Sequence, residues 1–378
     1  TGTANGTTPA VSNFAGSGTT YTFNVLRGSS DGTAIVSILA GVATDAATNP
    51  NTASNVYTLT IDTIPPTVSI TSSPVSGSTT NATILNYTAT FSESVFNFTS
   101  SDITVTGTAN GTTPAVSNFA GSGTTYTFNV LRGTSDGTAI VSILAGVATD
   151  GAGHANTAST TNTVTIDTIT PTVAIISSTA SSGSATSAPS LSYTAIFSKP
   201  VSGFISTDIT VTGTANGGVP AVSNFVPVST TIYTFNVLRG SSDGTAIVSI
   251  LAGVATDGTH VNTASNVYTL TIDTIPPTVS ITSSPVSGST TTSTILNYTA
   301  TFSESVLNFT SSDITVTGTA NGGLPVASSF AGSGTTYTFK VLRGTSDGTV
   351  LVSIPAAIAT DAATNPNTSS NVYTLTID

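Results

Sequence analysis

The sequence predicts an all-β chain of tandem seven-stranded β-sandwiches, and three observations predict it. The hexapeptide TGTANG recurs at Thr1, Thr106, Thr212 and Thr317, a period of 105 or 106 residues. Within each period, short runs alternate apolar and polar residues between Gly, Asn, Asp and Ser, the pattern of strands with one buried face. Only 6% of the 378 residues are charged, while Thr, Ser, Gly and Val abound, a composition that favours strands and turns over helices.

The connectors come next. TIPPT at Thr63 to Thr67 and Thr274 to Thr278, with the variant TITPT at Thr168 to Thr172, follows an Asp that ends an alternating run. Proline cannot join a central ladder and holds the chain extended, so these segments are short, stiff linkers. They divide the chain into a partial domain at 1–62 and complete domains at 63–167, 168–273 and 274–378. Residues 1–45 match 106–150 with a single change, Ser29 against Thr134. The first unit lacks opening strands and would expose a sheet edge and half a core. Either preceding residues or another chain would complete it.

Seven strands are expected in the unit 63–167: Val68 to Ile70, Ile84 to Phe91, Asp102 to Val105, Ala115 to Phe119, Thr125 to Leu131, Thr138 to Leu144 and Thr161 to Ile166. In the fifth, Tyr126, Phe128 and Val130 share one face and Thr125, Thr127 and Asn129 the other. Seven short strands in about 100 residues make a two-sheet sandwich.

Composition excludes several function classes. Cys, Met and Trp are absent, which removes disulfides, thiolate metal sites and cysteine nucleophiles. A formal net charge of −11 opposes nucleic acid and anionic membrane surfaces. No apolar run approaches the roughly 18 residues of a membrane span. Residues Thr1 to Ala10 lack the regions of a signal peptide, which places any export signal outside this stretch. No His recurs with fixed Ser and Asp partners, and there are only two Glu. A catalytic role is not expected.

The segments TIPPTVSITSS, FSESV, DITV, TYTFNV, DGTAIVSILAGVATD and DAATNPNTAS, in order and at similar spacing, resemble the bacterial immunoglobulin-like domains strung in long arrays in large surface adhesins. The resemblance covers the whole chain and implies immunoglobulin-like sandwiches arranged as beads on a rod. It further implies a stalk or spacer in a secreted, cell-surface or biofilm protein, with neighbouring repeats as partners and the adhesion ligand elsewhere. Where family members often read DAAGN, this chain has DAATN at Asp45 and Asp361, DGAGH at Asp150 and DGTHV at Asp257.

An up-and-down sandwich gathers the incoming linker and the loops after its second and sixth strands at one end. That geometry brings together Asp62, Glu93, Asp102 and Asp150 in the unit 63–167, and Asp273, Glu304, Asp313 and Asp361 in the unit 274–378. In the unit 168–273 the set is Asp167, Asp208 and Asp257, with Lys199 standing where the others have Glu. Clustered carboxylates repel, and Ca²⁺, which takes six to eight oxygen ligands, would relieve the repulsion. The resemblance points to the same interdomain ion. The competing reading makes each Asp an ordinary turn, cap or linker residue.

At the opposite end, Arg27, Arg132, Arg239 and Arg343 each stand four residues before Asp31, Asp136, Asp243 and Asp347 in an Asp-Gly turn, read as a structural turn with a local ion pair. His154 and His260 read as surface residues. The sequons at Asn5, Asn81, Asn86, Asn97, Asn110, Asn297 and Asn308 are what a Thr- and Asn-rich chain produces by chance. Two further roles stay open: self-association into an extracellular filament by strand donation, and glycan or protein binding through the loops.

Overall fold

Strand Ile84–Val95 shows how the alternation is used, with Leu85, Tyr87, Ala89 and Phe91 buried and Ile84, Asn86 and Thr90 exposed. The computed structural model describes residues 1–4, 11–109, 116–215, 222–320 and 327–378. It is all-β, with three short 3-10 turns and no α-helix among the described residues. The chain forms two compact units, Thr1–Ile169 and Thr170–Asp378.

In the first unit, residues 63–167 form a sandwich. One sheet joins Val68–Ser73, Ile84–Val95 and Val116–Leu131. The other runs in the order Thr79–Thr80, Asn162–Ile166, Gly137–Ile143, Ile103–Thr106. The chain leaves the first sheet at Ser73, passes a cis bond to Pro74, and re-enters the second as Thr79–Thr80, parallel to Asn162–Ile166. Sequence reading missed this two-residue strand because two residues carry no alternation.

Three other expectations shift. The runs expected at Ala115 to Phe119 and Thr125 to Leu131 fall within one span, Val116–Leu131, with Ala115 itself outside the described residues. That span folds back on itself: Phe119 stacks on Tyr126 at 5.7 Å, as Val11–Ser17 pairs with Thr20–Val25 in the first repeat. Asp102 closes a 3-10 turn, Ser100–Asp102, and the strand starts one residue later.

The recurring TGTA segment is explained by a close backbone crossing. Gly107, at φ +115°, lies so near the Thr138 carbonyl that a Cβ would stand 2.0 Å from it. Any side chain there would force the two segments apart. Ala109 beyond it is buried, and its amide donates to Thr138.

The core packs between the two sheets. Tyr87 stacks on Phe128 at 5.3 Å, while Phe91, Phe98 and Tyr126 meet edge to face at 5.0 to 5.9 Å. Each such side chain contributes about 1.5 to 3 kcal/mol through burial.

Residues 1–62 are built differently. They form two two-stranded sheets, Val11–Ser17 with Thr20–Val25 and Gly32–Val36 with Tyr57–Ile61. Among the described residues their buried apolar cluster is Ala4, Ala34 and Ile61.

The second unit holds two further sandwiches with separate cores. In residues 168–273 the sheets are Val173–Ser177, Ser190–Phe197, Ile232–Leu238, Val222–Pro227, and Ala185–Thr186, Tyr268–Ile272, Gly244–Ile250, Ile209–Thr212. In 274–378 they are Val279–Ser283, Ile295–Val306, Ala327–Leu342, and Thr290–Thr291, Tyr373–Ile377, Gly348–Ser353, Thr315–Thr317. No helix among the described residues is long and apolar enough to cross a membrane.

Candidate functional site

The loop after the Gly137–Ile143 strand carries a polar network that recurs in the complete repeats. Its anchor is Asn156, which is buried. Its side-chain oxygen accepts the amides of Val147 and Ala148 at 2.9 Å, and its nitrogen donates to Leu144 and Thr157. Asn262 and Asn367 make the same four bonds in the other complete repeats. Sequence reading missed these residues, although an Asn-Thr pair five or six residues after the loop Asp recurs in every repeat and was the available signal.

On this frame sits Asp150, also buried. Its Oδ1 accepts the amides of Ala152 and His154, and its Oδ2 lies 3.0 Å from His154 Nδ1. Burial opposes ionisation, but the amide and ring of His154 outweigh it and hold the carboxyl below its ordinary range. His154 is therefore a partner of Asp150 and not a plain surface residue. Asp62, whose Oδ1 takes the Ile64 amide, reaches the same place: oxygens of Asp62 and Asp150 and a nitrogen of His154 lie within 4.8 Å of one another. Glu93 faces them. Its own burial, then the charges of Asp62 and Asp150, raise its pKa above the ordinary value.

The last repeat rebuilds this corner with Asn365 in place of the histidine. Asp361 Oδ1 accepts the Asn365 amide and Oδ2 the Asn365 side chain, while Asn365 also donates to the Asp273 carbonyl. Carboxylate oxygens of Asp273, Glu304 and Asp361 lie within 4.8 Å of one another. Burial and the charges of Asp273 and Asp361 raise the Glu304 pKa.

In residues 168–273, Lys199 Nζ lies 2.9 Å from Asp257 Oδ2, and the amides of Thr259 and His260 close on Oδ1. Burial opposes ionisation, yet the His260 amide and Lys199 lower the Asp257 pKa to about 2. His260 Nδ1 is 3.9 Å from the same carboxylate and the ring is 15% exposed, so it too departs from the surface reading. Asp167 accepts the Ile169 amide within the first unit.

The structure thus brings together Asp62, Glu93 and Asp150, and separately Asp273, Glu304 and Asp361. It assigns other work to the remaining acids. Asp102 accepts the amide and hydroxyl of Thr99, Asp313 those of Thr310, and Asp208 the amide of Ile205, each capping a 3-10 turn. For a hard cation the corners differ in fitness. Asp273, Glu304 and Asp361 are an oxygen-only set, the donors Ca²⁺ prefers. The set at 62–154 includes an imidazole, and at Asp257 an ammonium already holds the carboxylate.

In the turns expected to pair Arg with Asp, each side chain also holds backbone. Arg132 donates to the carbonyls of Asn81, Ala82 and Gly133, while Asp136 accepts the amide and hydroxyl of Thr168. Asp31 holds Thr63 and Asp243 holds Thr274 in the same way. Of the sequons, Asn5 and Asn110 lie outside the described residues. Asn86 and Asn297 lie within strands, and Asn97 and Asn308 take positive φ.

The arrangement defines a bacterial immunoglobulin-like sandwich with a polar end. The sequence profile of that family, described as Bacterial Ig-like domain, matches residues 62–166 and 273–377, and the chain belongs to this family. A search of curated proteins found no match. Among solved structures, the chain is similar to the Escherichia coli adhesin FdeC at 16% identity and a TM-score of 0.39, over 82% of this chain and 96% of that one. It is similar to invasin, described as a bacterial integrin-binding protein, at 12% identity and 0.32, over 83% and 60%. The similarity to InvD of Yersinia pseudotuberculosis is 12% and 0.34, over 82% and 97%.

Proposed function

We propose that this chain is a non-catalytic spacer from the repeat region of a secreted or cell-surface adhesin-like protein. One observation carries the reading: in each of three repeats the Asp-Gly turn grips the first residue of the following linker, Asp31 on Thr63, Asp136 on Thr168 and Asp243 on Thr274. A linker tied at its first residue and containing proline has little freedom, so each domain folds on its own core while its exit direction is constrained. Membership of a bacterial Ig-like family and near-identical successive copies support the same role.

Small-angle scattering on the chain and on versions with one or two added copies of 63–167 tests this. The maximum dimension should grow by a constant step per copy. A dimension that stays flat, or that grows as the square root of copy number, removes the spacer reading.

Calcium belongs to this proposal as the ion that Asp273, Glu304 and Asp361 would hold.

A further inference from the structure

The three complete repeats carry different chemistry on the outer face of the same sheet. In residues 63–167 the register sets Ser69 opposite Thr90 and Thr90 opposite Thr125, so a row of exposed hydroxyls crosses the strands. Residues 274–378 repeat it with Ser280, Thr301 and Thr336. In 168–273 the same row reads Ala174, Ile196 and Ile232. One row along, Ile176 stands where the other repeats have Thr71 and Thr282.

The patch reaches the fourth strand of this sheet. Val226 pairs with Thr234 there, and the Val228 amide donates to the Ile232 carbonyl at 2.9 Å. Ile176 is 51% exposed, Ile196 38%, Val226 49% and Val228 60%. Thr and Ile both suit a strand, so strand formation does not explain the exchange. What changes is the surface, because branched alkyl groups gain by leaving water and a contiguous exposed patch of them marks a contact site.

Charge and shape narrow the occupant. The strands Val173–Ser177, Ser190–Phe197, Ile232–Leu238 and Val222–Pro227 contain no Asp, Glu, Lys or Arg. The matching sheets of the other complete repeats include Glu93 in one, and Glu304 and Lys340 in the other. An apolar, uncharged sheet face is the complement, and the same face of another copy supplies it, since a two-fold axis lays patch on patch with no charge between them. Twisted sheets pack in this way about 10 Å apart. From strand dimensions, a face four strands wide covers roughly 400 Å², and two together roughly 800 Å². That is below the roughly 1,200 Å² of stable complexes, so the pair is weak and reversible.

We propose that the outer face carrying Ile176, Ile196, Ile232, Val226 and Val228 is a side-to-side contact with the same face of a second copy of this chain. The spacer reading concerns the ends of each domain and this contact its flank, so either can fail alone.

Sedimentation equilibrium of the full chain up to millimolar concentration tests it. The expected result is a monomer–dimer equilibrium with a Kd on the order of 100 µM. The triple variant Ile176→Thr, Ile196→Thr, Ile232→Thr installs the residues that Thr71, Thr90 and Thr125 provide in the neighbouring repeat, and should weaken the dimer by about tenfold or more. Should that variant fail to fold, Val228→Asp, outside the core, is read in its place and should weaken the dimer equally by setting like charges across the axis. A chain that stays monomeric throughout, or association that the variant leaves unchanged, overturns the proposal. So does a monomeric chain that binds neutral phosphatidylcholine vesicles and loses that binding in the variant, which would make a lipid surface the occupant.

Discussion

Asp136 Oδ1 accepts both the backbone amide and the hydroxyl of Thr168, each at 2.6 Å, so the turn that starts one strand also fixes the first residue of the next linker. A carboxylate serving two donors in this way is stronger than a neutral pair.

Asp136→Ala should lower the stability of residues 63–167 by about 1 kcal/mol, the net worth of such bonds at an exposed site. Exchange at the Ile169 amide should speed up with it, as should that of Thr168→Val. Calorimetry and hydrogen exchange on the full chain check both.

Glu93 and Glu304 have pKa values raised by burial and by acidic neighbours. The folded chain therefore binds more protons than the unfolded chain between the ordinary and the raised values. Stability falls as pH rises through that window, and the deficit persists at neutral pH. Glu93→Gln or Glu304→Gln should raise the stability of its repeat at pH 7 by about 0.5 kcal/mol after solvent screening. The gain should vanish below about pH 4. Thermal melts between pH 3 and pH 8 read it.

Asp257 behaves in the opposite sense. Its pKa of about 2 means that it contributes stability above the ordinary carboxylate range, lost as pH falls toward that value. Lys199→Met should return the carboxyl toward its ordinary value and cost about 1 to 2 kcal/mol at pH 7. A carboxyl titration followed by NMR reports the first effect and denaturant unfolding the second.

Two tyrosines of one core should respond oppositely to loss of the hydroxyl. Tyr87 OH is buried without a partner, and burial pushes it up to about 12. Tyr126 OH donates to the Val95 carbonyl at 3.2 Å. Tyr87→Phe should stabilise by about 1 kcal/mol and Tyr126→Phe destabilise by a similar amount, because only the first removes an unsatisfied polar group. Equal destabilisation by both would refute this account.

Calcium should raise the melting temperature of the last repeat more than that of the others, with Glu304→Gln and Asp273→Asn abolishing the increment, since among the described residues that corner brings three carboxylates together with no imidazole or ammonium in the set. Calorimetry with EDTA and then with millimolar Ca²⁺ decides it. Equal response in all three complete repeats would discard the donor-set argument.

Much of this was legible in the order of residues. The 105-residue repeat, the alternation in strands such as Ile84–Val95, and the prolines at Pro65, Pro171 and Pro276 are local features that survive without knowledge of contacts. They are enough to specify a sandwich, because a strand's buried face is written at period two and a linker's stiffness in its own residues. The convergence of Asp62, Glu93 and Asp150 was also deducible, from the up-and-down path of the chain.

Other features needed the third dimension. Thr79–Thr80 is too short to show a period, and its pairing with Asn162–Ile166 is a contact across more than eighty residues. Asp102 reads like Asp150 in sequence, yet one caps a 3-10 turn and the other is buried against His154, because a carboxylate's role depends on the donors around it. Asn156 shows the same division: the sequence determined that an Asn-Thr pair recurs after each loop Asp, but only the tertiary structure decided that this side chain bonds four backbone groups, since a hydrogen bond depends on which donors and acceptors the fold brings within reach.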